Sequence, residues 1–121
     1  MSVFLEINNQ DKIYIGANFF LIKDRFPVSP GHVLIISKTL KKDFFELNDA
    51  ERNELPIMIE VAKNLIEKDD KPDGYNIGMN CGEDAGQTVF HFHCHVIPRY
   101  KGDMENPRGG VRHCVSGKGY Y

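Results

Sequence analysis

The stretch from Phe90 to Ile97 alternates histidine with apolar or sulfur-containing side chains, and this alternation constrains the fold of the 121-residue chain most strongly. Because successive side chains of a strand point to opposite faces, it predicts a β-strand over residues 88–97 that Pro98 ends. One face would carry His91, His93 and His95, and the other would carry Phe90, Phe92, Cys94 and Val96. A strand with one apolar face needs further strands and a covering layer to bury that face.

The rest of the chain offers these elements. Residues 12–24 read as two short strands broken at Gly16, and residues 33–37 and 74–80 read as further strands. A long helix is predicted over residues 48–68, because apolar residues recur there at helical spacing after a capping-box pattern. A short helical turn is expected over residues 41–46. Together they predict an α+β fold with a mainly antiparallel sheet, one long helix and one short helix.

Composition restricts the classes of protein that this chain can belong to. Hydrophobic residues make up 41% and charged residues 26%, which is typical of a soluble globular domain, and the length predicts a single domain over residues 1–121. No apolar run approaches the ~18 residues of a membrane span, and no signal segment is evident at the start. We therefore expect a cytoplasmic protein without a membrane partner. The three cysteines are too few for a disulfide framework.

Charge is unevenly distributed along the chain. The net charge of -2 argues against a nucleic-acid partner. Residues 99–121 nevertheless carry five basic and two acidic side chains, and residues 101–121 read as a loop-rich basic tail. The tail could attract an anionic ligand, and a solvated tail without a ligand explains the charge equally well.

The three same-face histidines predict chemistry rather than packing. A purely structural role would require hydrogen-bond partners for each of three buried imidazoles. Neutral imidazoles bind zinc, copper or iron, so a metal site is one explanation. Imidazole also serves as a nucleophile and as an acid or base near neutral pH. Same-face positions are ~6.6 Å apart along a strand, which is wide for three ligands of one ion, but spacing alone leaves both explanations open.

Two segments resemble the motifs of the histidine triad (HIT) family. Residues 80–99, NCGEDAGQTVFHFHCHVIPR, closely resemble the family signature. Residues 24–36, DRFPVSPGHVLII, resemble the family's other motif and include its first histidine, His32. The resemblance extends from about Phe19 to Arg112, which is most of the chain.

The resemblance implies a HIT-like fold and an activity at the α-phosphate of an adenine nucleotide or dinucleotide. Family members transfer or hydrolyse nucleotidyl groups through a covalent nucleotidyl-histidine, and by position His93 would be that nucleophile. His95 would contact the phosphate and stabilise the leaving oxygen, while His91 and His32 would orient the nucleophile. The resemblance places Asp24 at the ribose hydroxyls, and the residues placed along the phosphates or ribose are Asn80, Gln87 and Thr88.

The segment after the triad favours one branch of the family. Pro98-Arg99 resembles the dinucleoside polyphosphate (Fhit-like) hydrolases, and Arg99 with the basic tail would suit a polyphosphate because guanidinium pairs bidentately with phosphate. Asn80 departs from the animal members of that branch and is shared with the nucleoside phosphoramidases, which are the alternative. A non-catalytic nucleotide-binding protein and a strand-borne metal enzyme remain competing hypotheses.

The resemblance also implies an assembly and a cofactor requirement. Family members form homodimers in which two five-stranded sheets join into one. No tightly bound cofactor and no dedicated metal site are expected, although Mg²⁺ would accompany a polyphosphate substrate. The expected partners are a small-molecule nucleotide and a second copy of the chain.

Overall fold

The histidine segment forms β5 (His93–Arg99), which lies between two other strands in the computed structural model, where residues 2–121 are described. The other strands are β1 (Lys12–Ile15), β2 (Phe19–Lys23), β3 (Val33–Ser37) and β4 (Gly74–Gly78). They form one five-stranded sheet in the order β1-β2-β3-β5-β4, and each neighbouring pair is antiparallel. The predicted α+β fold with an antiparallel sheet is confirmed.

The start of β5 differs from the prediction of a strand over residues 88–97. The residues before β5 form a loop, in which the Phe92 N–H donates to the Lys41 carbonyl at 2.6 Å and the Phe92 carbonyl accepts from the Ser37 N–H at 3.4 Å. These bonds join the loop to the last residue of β3 and to the segment that follows it, and the regular ladder begins only at residue 93. The prediction that Phe90 faces the core is wrong, because this side chain is 44% exposed.

The end of β5 shows why Pro98 does not terminate the strand. Pro98 pairs with Tyr75 of β4, and its carbonyl accepts a hydrogen bond from Ser29 Oγ at 2.6 Å. The N and C=O of one strand residue point to the same side, so the position of the missing N–H faces Ser29 rather than β4. On that side β3 starts at Val33, the partner of Val96, and no ladder hydrogen bond is lost.

The long helix α1 (Asp49–Asp69) covers one face of the sheet. Its capping box is present: the Glu51 N–H donates to Asn48 Oδ1 at 2.9 Å, and the Asn48 N–H donates to Glu51 Oε1 at 2.8 Å. The helix buries Leu55, Met58, Ala62 and Ile66 against the sheet. The sheet side of this core comprises Phe19, Leu21, Val33, Ile35, Phe92, Cys94 and Val96. The short helix expected near residues 41–46 is a 3-10 turn over Phe44–Glu46.

The opposite face of the sheet carries the histidines and is covered in part by the N-terminal segment. A second cluster on this face comprises Phe20, Ile22, Leu34 and Ile36, packed against Phe4 and Ile7. His93 pairs with Ile36 and His95 pairs with Leu34 across β3 and β5. Because paired residues of neighbouring strands project to the same face, the two histidines lie beside this cluster.

The C-terminal tail, residues 101–121, packs on itself and against β4. It contains a 3-10 helix over Gly110–Cys114, and the guanidinium groups of Arg108 and Arg112 each lie 4.8 Å from the centre of the Tyr121 ring. Arg112 Nη2 also donates to the Lys118 carbonyl at 3.1 Å. Two of the basic groups that the sequence offered for an anionic ligand are thus engaged within the tail.

Within residues 2–121, no helix is both long enough and apolar enough to cross a membrane. The cytoplasmic location stays a prediction from the sequence.

The capping box gives a test of how α1 is stabilised. We expect Asn48→Ala to lower the free energy of unfolding by about 1 kcal/mol, because an orphan N–H of the first turn loses its side-chain acceptor. Asn64→Ala, at an exposed position of the same helix, is the matched control and should leave stability unchanged or slightly raised, since alanine favours helix. Urea titrations of the two variants measure the difference, and equal effects would contradict the capping role.

Candidate active site

The side chain of His93 is held in one orientation by a backbone carbonyl. Its Nδ1 lies 2.8 Å from the His91 carbonyl oxygen, and a carbonyl can only accept, so Nδ1 carries the proton. The other ring nitrogen, Nε2, therefore holds a lone pair in the neutral ring. This is the tautomer that a nucleophilic imidazole requires.

His91 is fully buried beneath His93 and is fixed at both ring nitrogens. Its Nε2 lies 2.7 Å from the Ser37 carbonyl, which requires a proton on Nε2, and its Nδ1 accepts from Ser2 Oγ at 2.8 Å. Burial lowers the pKa of His91, and the neighbouring His93 lowers it further. His91 lies just before β5 rather than in it, and its carbonyl group orients the His93 ring.

His32 and His95 form a second chain of hydrogen bonds beside the first. The Val28 N–H donates to His32 Nδ1 at 3.2 Å, so the His32 proton is on Nε2. His32 Nε2 lies 2.9 Å from His95 Nδ1 and donates to it. The proton of neutral His95 is consequently on Nε2, which makes this atom a hydrogen-bond donor.

The charge state of this pair follows from its surroundings. Burial lowers the pKa of His95 to about 4, and the neighbouring His93 and His32 act in the same direction, while Asp24 opposes them. Burial also lowers the pKa of His32, again against the effect of Asp24. Both rings are neutral at pH 7, so His95 offers a neutral N–H to an anionic group.

Asp24 links a loop turn to the histidines. Its Oδ1 accepts from the Phe26 N–H at 2.9 Å, the contact of an ordinary turn residue. Its Oδ2 lies 3.4 Å from His32 Nε2 and 4.0 Å from His95 Nδ1. The carboxylate therefore has one oxygen committed to the loop and the other facing the histidine side.

A cavity of about 410 Å³ opens in front of these groups, and we call it the histidine cavity. Its polar lining includes Asp24, Thr88, His93 and His95. Its apolar lining comprises Val3, Phe4, Ile7, Ile22, Leu34 and Val89, with Arg25 and Phe26 from the loop. Thr88 thus borders the same cavity as His93 and His95.

The N-terminal segment is the part of the site that sequence reasoning missed. The Phe4 ring lies 5.5 Å from the His91 ring and 5.1 Å from the His93 ring, edge-on to both. Ser2 holds His91. The only sequence signal was the apolar spacing of Phe4 and Ile7 ahead of the first strand, which packing explains equally well.

Gln87 and Asn80 occupy different parts of the loops around the site. Gln87 is 2% exposed, and its side chain accepts from the Gly82 N–H at 2.8 Å and donates to the Lys42 carbonyl at 2.6 Å. In this arrangement Gln87 braces the loop. Asn80 is exposed and borders a separate cavity that includes His32 and His95.

Arg99 lies away from the histidine cavity. Its Nε and Nη2 donate to the two carboxylate oxygens of Asp103 at 2.8 and 2.7 Å, and its Nη1 donates to Asn76 Oδ1 at 2.6 Å. The side-chain contact with Asp103 lowers the pKa of that carboxyl to about 2. The guanidinium that the sequence offered to a polyphosphate is thus paired with a carboxylate.

One group of side chains in residues 2–121 has ligand atoms close enough to hold a metal ion. Asp24, His32 and His95 each offer one such atom, and these atoms lie within 4.8 Å of one another. Two imidazoles and a carboxylate suit zinc. The cluster draws one histidine from β5, unlike the metal hypothesis based on strand spacing, and an ion there would replace the hydrogen bond between His32 and His95.

Fold and site together define a histidine-centred α+β domain, and other proteins share its sequence pattern and its fold. The HIT domain profile matches residues 6–102, so the chain belongs to the HIT family. A crystallised HIT family protein from Bacillus anthracis is 35% identical, with a TM-score of 0.77 over 84% of this chain and 75% of that chain. An uncharacterized HIT-like protein of Saccharolobus solfataricus is 29% identical over 109 residues, which are 90% of this chain and 78% of the relative.

Two relatives carry the names of enzymes. The asymmetrical bis(5'-nucleosyl)-tetraphosphatase of Schizosaccharomyces pombe is 40% identical over 64% of this chain and 43% of its own length. An AP-4-A phosphorylase of Mycobacterium tuberculosis is 32% identical over 73% of this chain and 46% of its own length. The matches span less than half of each enzyme.

The depressed histidine pKa values predict a pH-dependent stability. Between pH 6.5 and about 4 the unfolded chain binds a proton at His95 that the folded protein excludes, so stability falls as pH falls through this window. The slope of the unfolding free energy against pH is therefore positive in this window. We expect His95→Asn to reduce that slope by up to about 1.4 kcal/mol per pH unit. Urea midpoints at pH 7, 5.5 and 4.5 measure it, and identical slopes for both proteins would contradict the assignment.

Proposed function

We propose that the protein transfers or hydrolyses a nucleotidyl group at its α-phosphate, with His93 Nε2 as the nucleophile. The observation that carries this proposal is the hydrogen bond from His93 Nδ1 to the His91 carbonyl. It leaves the Nε2 lone pair beside a cavity that also contains the His95 side chain and the Asp24 carboxylate. A binding protein would not need this tautomer to be fixed.

The reaction divides into two displacements at phosphorus. The Nε2 lone pair of His93 forms a bond to the α-phosphorus, and the bond from phosphorus to the leaving group breaks with its electron pair on that group. The intermediate is a nucleotidyl-histidine. Water then attacks the phosphorus, the P–N bond breaks with its electrons returning to Nε2, and the water proton is released to solvent. The products are a nucleoside monophosphate and the leaving group.

Before substrate binds, His95 is a neutral hydrogen-bond donor rather than a cation. Because its pKa is lowered and His32 holds its Nδ1, the Nε2–H is available as a neutral donor at pH 7. A donor fixed in a largely buried site stabilises negative charge that develops on a phosphate or leaving oxygen. An anionic phosphate alongside would raise the affinity of His95 for a second proton, which could then pass to the leaving group.

The rest of the histidine cavity suits a nucleoside. The side chains of Phe4, Ile7, Ile22 and Leu34 provide an apolar surface for a base. The Oδ2 of Asp24 can accept from ribose hydroxyls. Adenine is the base expected from the family resemblance.

For the substrate class, dinucleoside polyphosphates are our first choice. The names of the fission-yeast tetraphosphatase and the mycobacterial phosphorylase support it. Nucleoside phosphoramidates are the second candidate, favoured by the pairing of Arg99 with Asp103, which removes the cation that a polyphosphate would have used. Mg²⁺ would enter with a polyphosphate rather than reside in the protein.

A homodimer built through β4 belongs to the same proposal. β4 is an edge strand of the sheet, and Ile77 on it is 41% exposed. Edge strands with free backbone groups pair with another chain unless they are protected. We expect sedimentation equilibrium to give twice the chain mass of 13.8 kDa, and a monomer at micromolar concentration would contradict the assembly.

A product assay decides the substrate class. With Mg²⁺ present, diadenosine tetraphosphate and an adenosine phosphoramidate are offered separately, and products are separated by ion exchange. We expect AMP and ATP from the first substrate at the higher kcat/KM. A preference for the phosphoramidate would move the protein to the other branch, and turnover of neither would favour the nucleotide-binding hypothesis.

The covalent step is tested at His93. We expect His93→Ala to lower kcat by at least about 10³-fold while AMP affinity stays within about threefold, because binding contacts remain. Acid-quenched wild-type protein should retain label from an α-phosphate-labelled substrate, and His93→Ala should not. His113→Ala, a histidine of the tail whose ring contacts the Arg108 carbonyl, is the matched control and should keep the label.

A further inference from the structure

His95 stands between two cavities. One is the histidine cavity, which His93 also borders. The other, which we call the β4 cavity, has a volume of about 340 Å³ and is bordered by His32 and His95 on one side. Its other walls include Asn76 and Ile77 of β4, Asn80 of the loop that follows β4, and Val111 of the tail. The two cavities therefore meet at the histidine that is placed to assist departure of the leaving group.

The lining of the β4 cavity is uncharged. Its side chains are apolar or amide groups besides the two imidazoles, and no lysine, arginine, aspartate or glutamate among residues 2–121 borders it. Arg99 reaches Asn76 at 2.6 Å from beyond this cavity, but its charge is balanced by Asp103. Such a lining favours an uncharged, planar or apolar group, because a bare phosphate would find no cation there.

The segment that contains Val111 is held in place by contacts of its neighbouring residues. Its neighbour Arg112 lies over the Tyr121 ring at 4.8 Å and donates to the Lys118 carbonyl. A Cβ atom added at Gly110 would lie 3.4 Å from Asn76 Nδ2, so the backbone of the tail is in close contact with β4. Residues 103–121 lie beyond the part of the chain that matches the HIT domain profile. The wall that Val111 forms therefore lies outside the region matched by the HIT domain profile.

We propose that the β4 cavity is a leaving-group subsite, closed on one side by Val111, that accepts an uncharged planar group of the departing half of the substrate. The proposal rests on the proposed function and adds the kind of leaving group that the protein prefers. The planar group could be the amine portion of a phosphoramidate or the second base of a dinucleotide, which share this chemistry.

The direction of the displacement supports this placement. Nucleophile and leaving group lie on opposite sides of the phosphorus in an in-line reaction. His93 approaches from the histidine cavity, and the leaving group must depart away from it. His95 borders both cavities, so a group that leaves past its ring enters the β4 cavity.

The test compares Val111→Lys with the matched control Val115→Lys. Both valines are exposed residues of the same tail, at 65% and 57%, but Val111 borders the cavity. Two pairs of substrates isolate the planar group: the benzylamine phosphoramidate of AMP against simple adenosine 5'-phosphoramidate, and diadenosine tetraphosphate against adenosine tetraphosphate. Within each pair the ratio of kcat/KM reports the contribution of the planar group.

We expect wild-type protein to prefer the planar member of one pair by about tenfold, the worth of a filled apolar contact. Val111→Lys should abolish that preference and Val115→Lys should retain it, while AMP affinity of both variants stays near wild type. The pair that shows the preference identifies amine or base as the occupant. No preference in either pair, or equal effects of the two lysines, would overturn the proposal.

Failure of the proposed function would be distinguishable. If the wild-type protein turns over none of the four substrates, calorimetry with benzamide and with adenosine, both uncharged, at saturating AMP tests the subsite directly. Binding of either probe to the wild type and to Val115→Lys, but not to Val111→Lys, would support the subsite without catalysis. Absence of binding to the wild type would overturn it. Circular dichroism of both variants confirms that each is folded.

Discussion

The hydrogen bond between His93 Nδ1 and the His91 carbonyl is the contact on which the rest of the site depends. It exists because the chain enters β5 from a loop that is itself tied to the segment after β3. Phe92 contributes both backbone groups to that connection, and His91 is held by Ser37 and Ser2. A regular strand through this point would have committed the His91 carbonyl to a ladder rather than to the histidine ring. The irregular start of β5 therefore determines the tautomer of His93.

A second consequence follows from placing four histidines close together, of which His32 and His91 are buried. Desolvation lowers the pKa of the His32, His91 and His95 rings, so their neutral forms predominate at pH 7 and each neutral ring must place its single proton. Backbone groups determine which nitrogen carries that proton: the Val28 N–H does so for His32, and the Ser37 carbonyl does so for His91. His95 obtains its tautomer from His32. Neutral donors and acceptors with fixed directions suit a reaction in which charge develops on a phosphate, because they need no reorganisation.

The strand alternation, the hairpin and the capping box are local features, and the sequence was sufficient to predict these elements. The bounds of β5 were not predictable in this way, since Pro98 is tolerated only because β3 has not yet begun beside it. Phe4 and Ser2 come from a segment distant along the chain, and only tertiary packing brings them to the histidines. Gln87 has the residue type of a phosphate ligand, yet its side chain accepts from the Gly82 N–H and donates to the Lys42 carbonyl.

The pairing of charged side chains is where the structure differs most from the prediction made from the sequence. A count of basic residues after residue 98 indicates an anionic ligand, but Asp103 follows Arg99 at a spacing that allows a bidentate pair, and Tyr121 lies between two other guanidinium groups. The tail thereby becomes a compact wall instead of an electrostatic arm. If the histidine cavity holds the nucleotidyl group that is transferred, this wall contacts only the leaving group of the substrate. Discrimination among substrates would then come from shape and desolvation next to His95 rather than from phosphate charge.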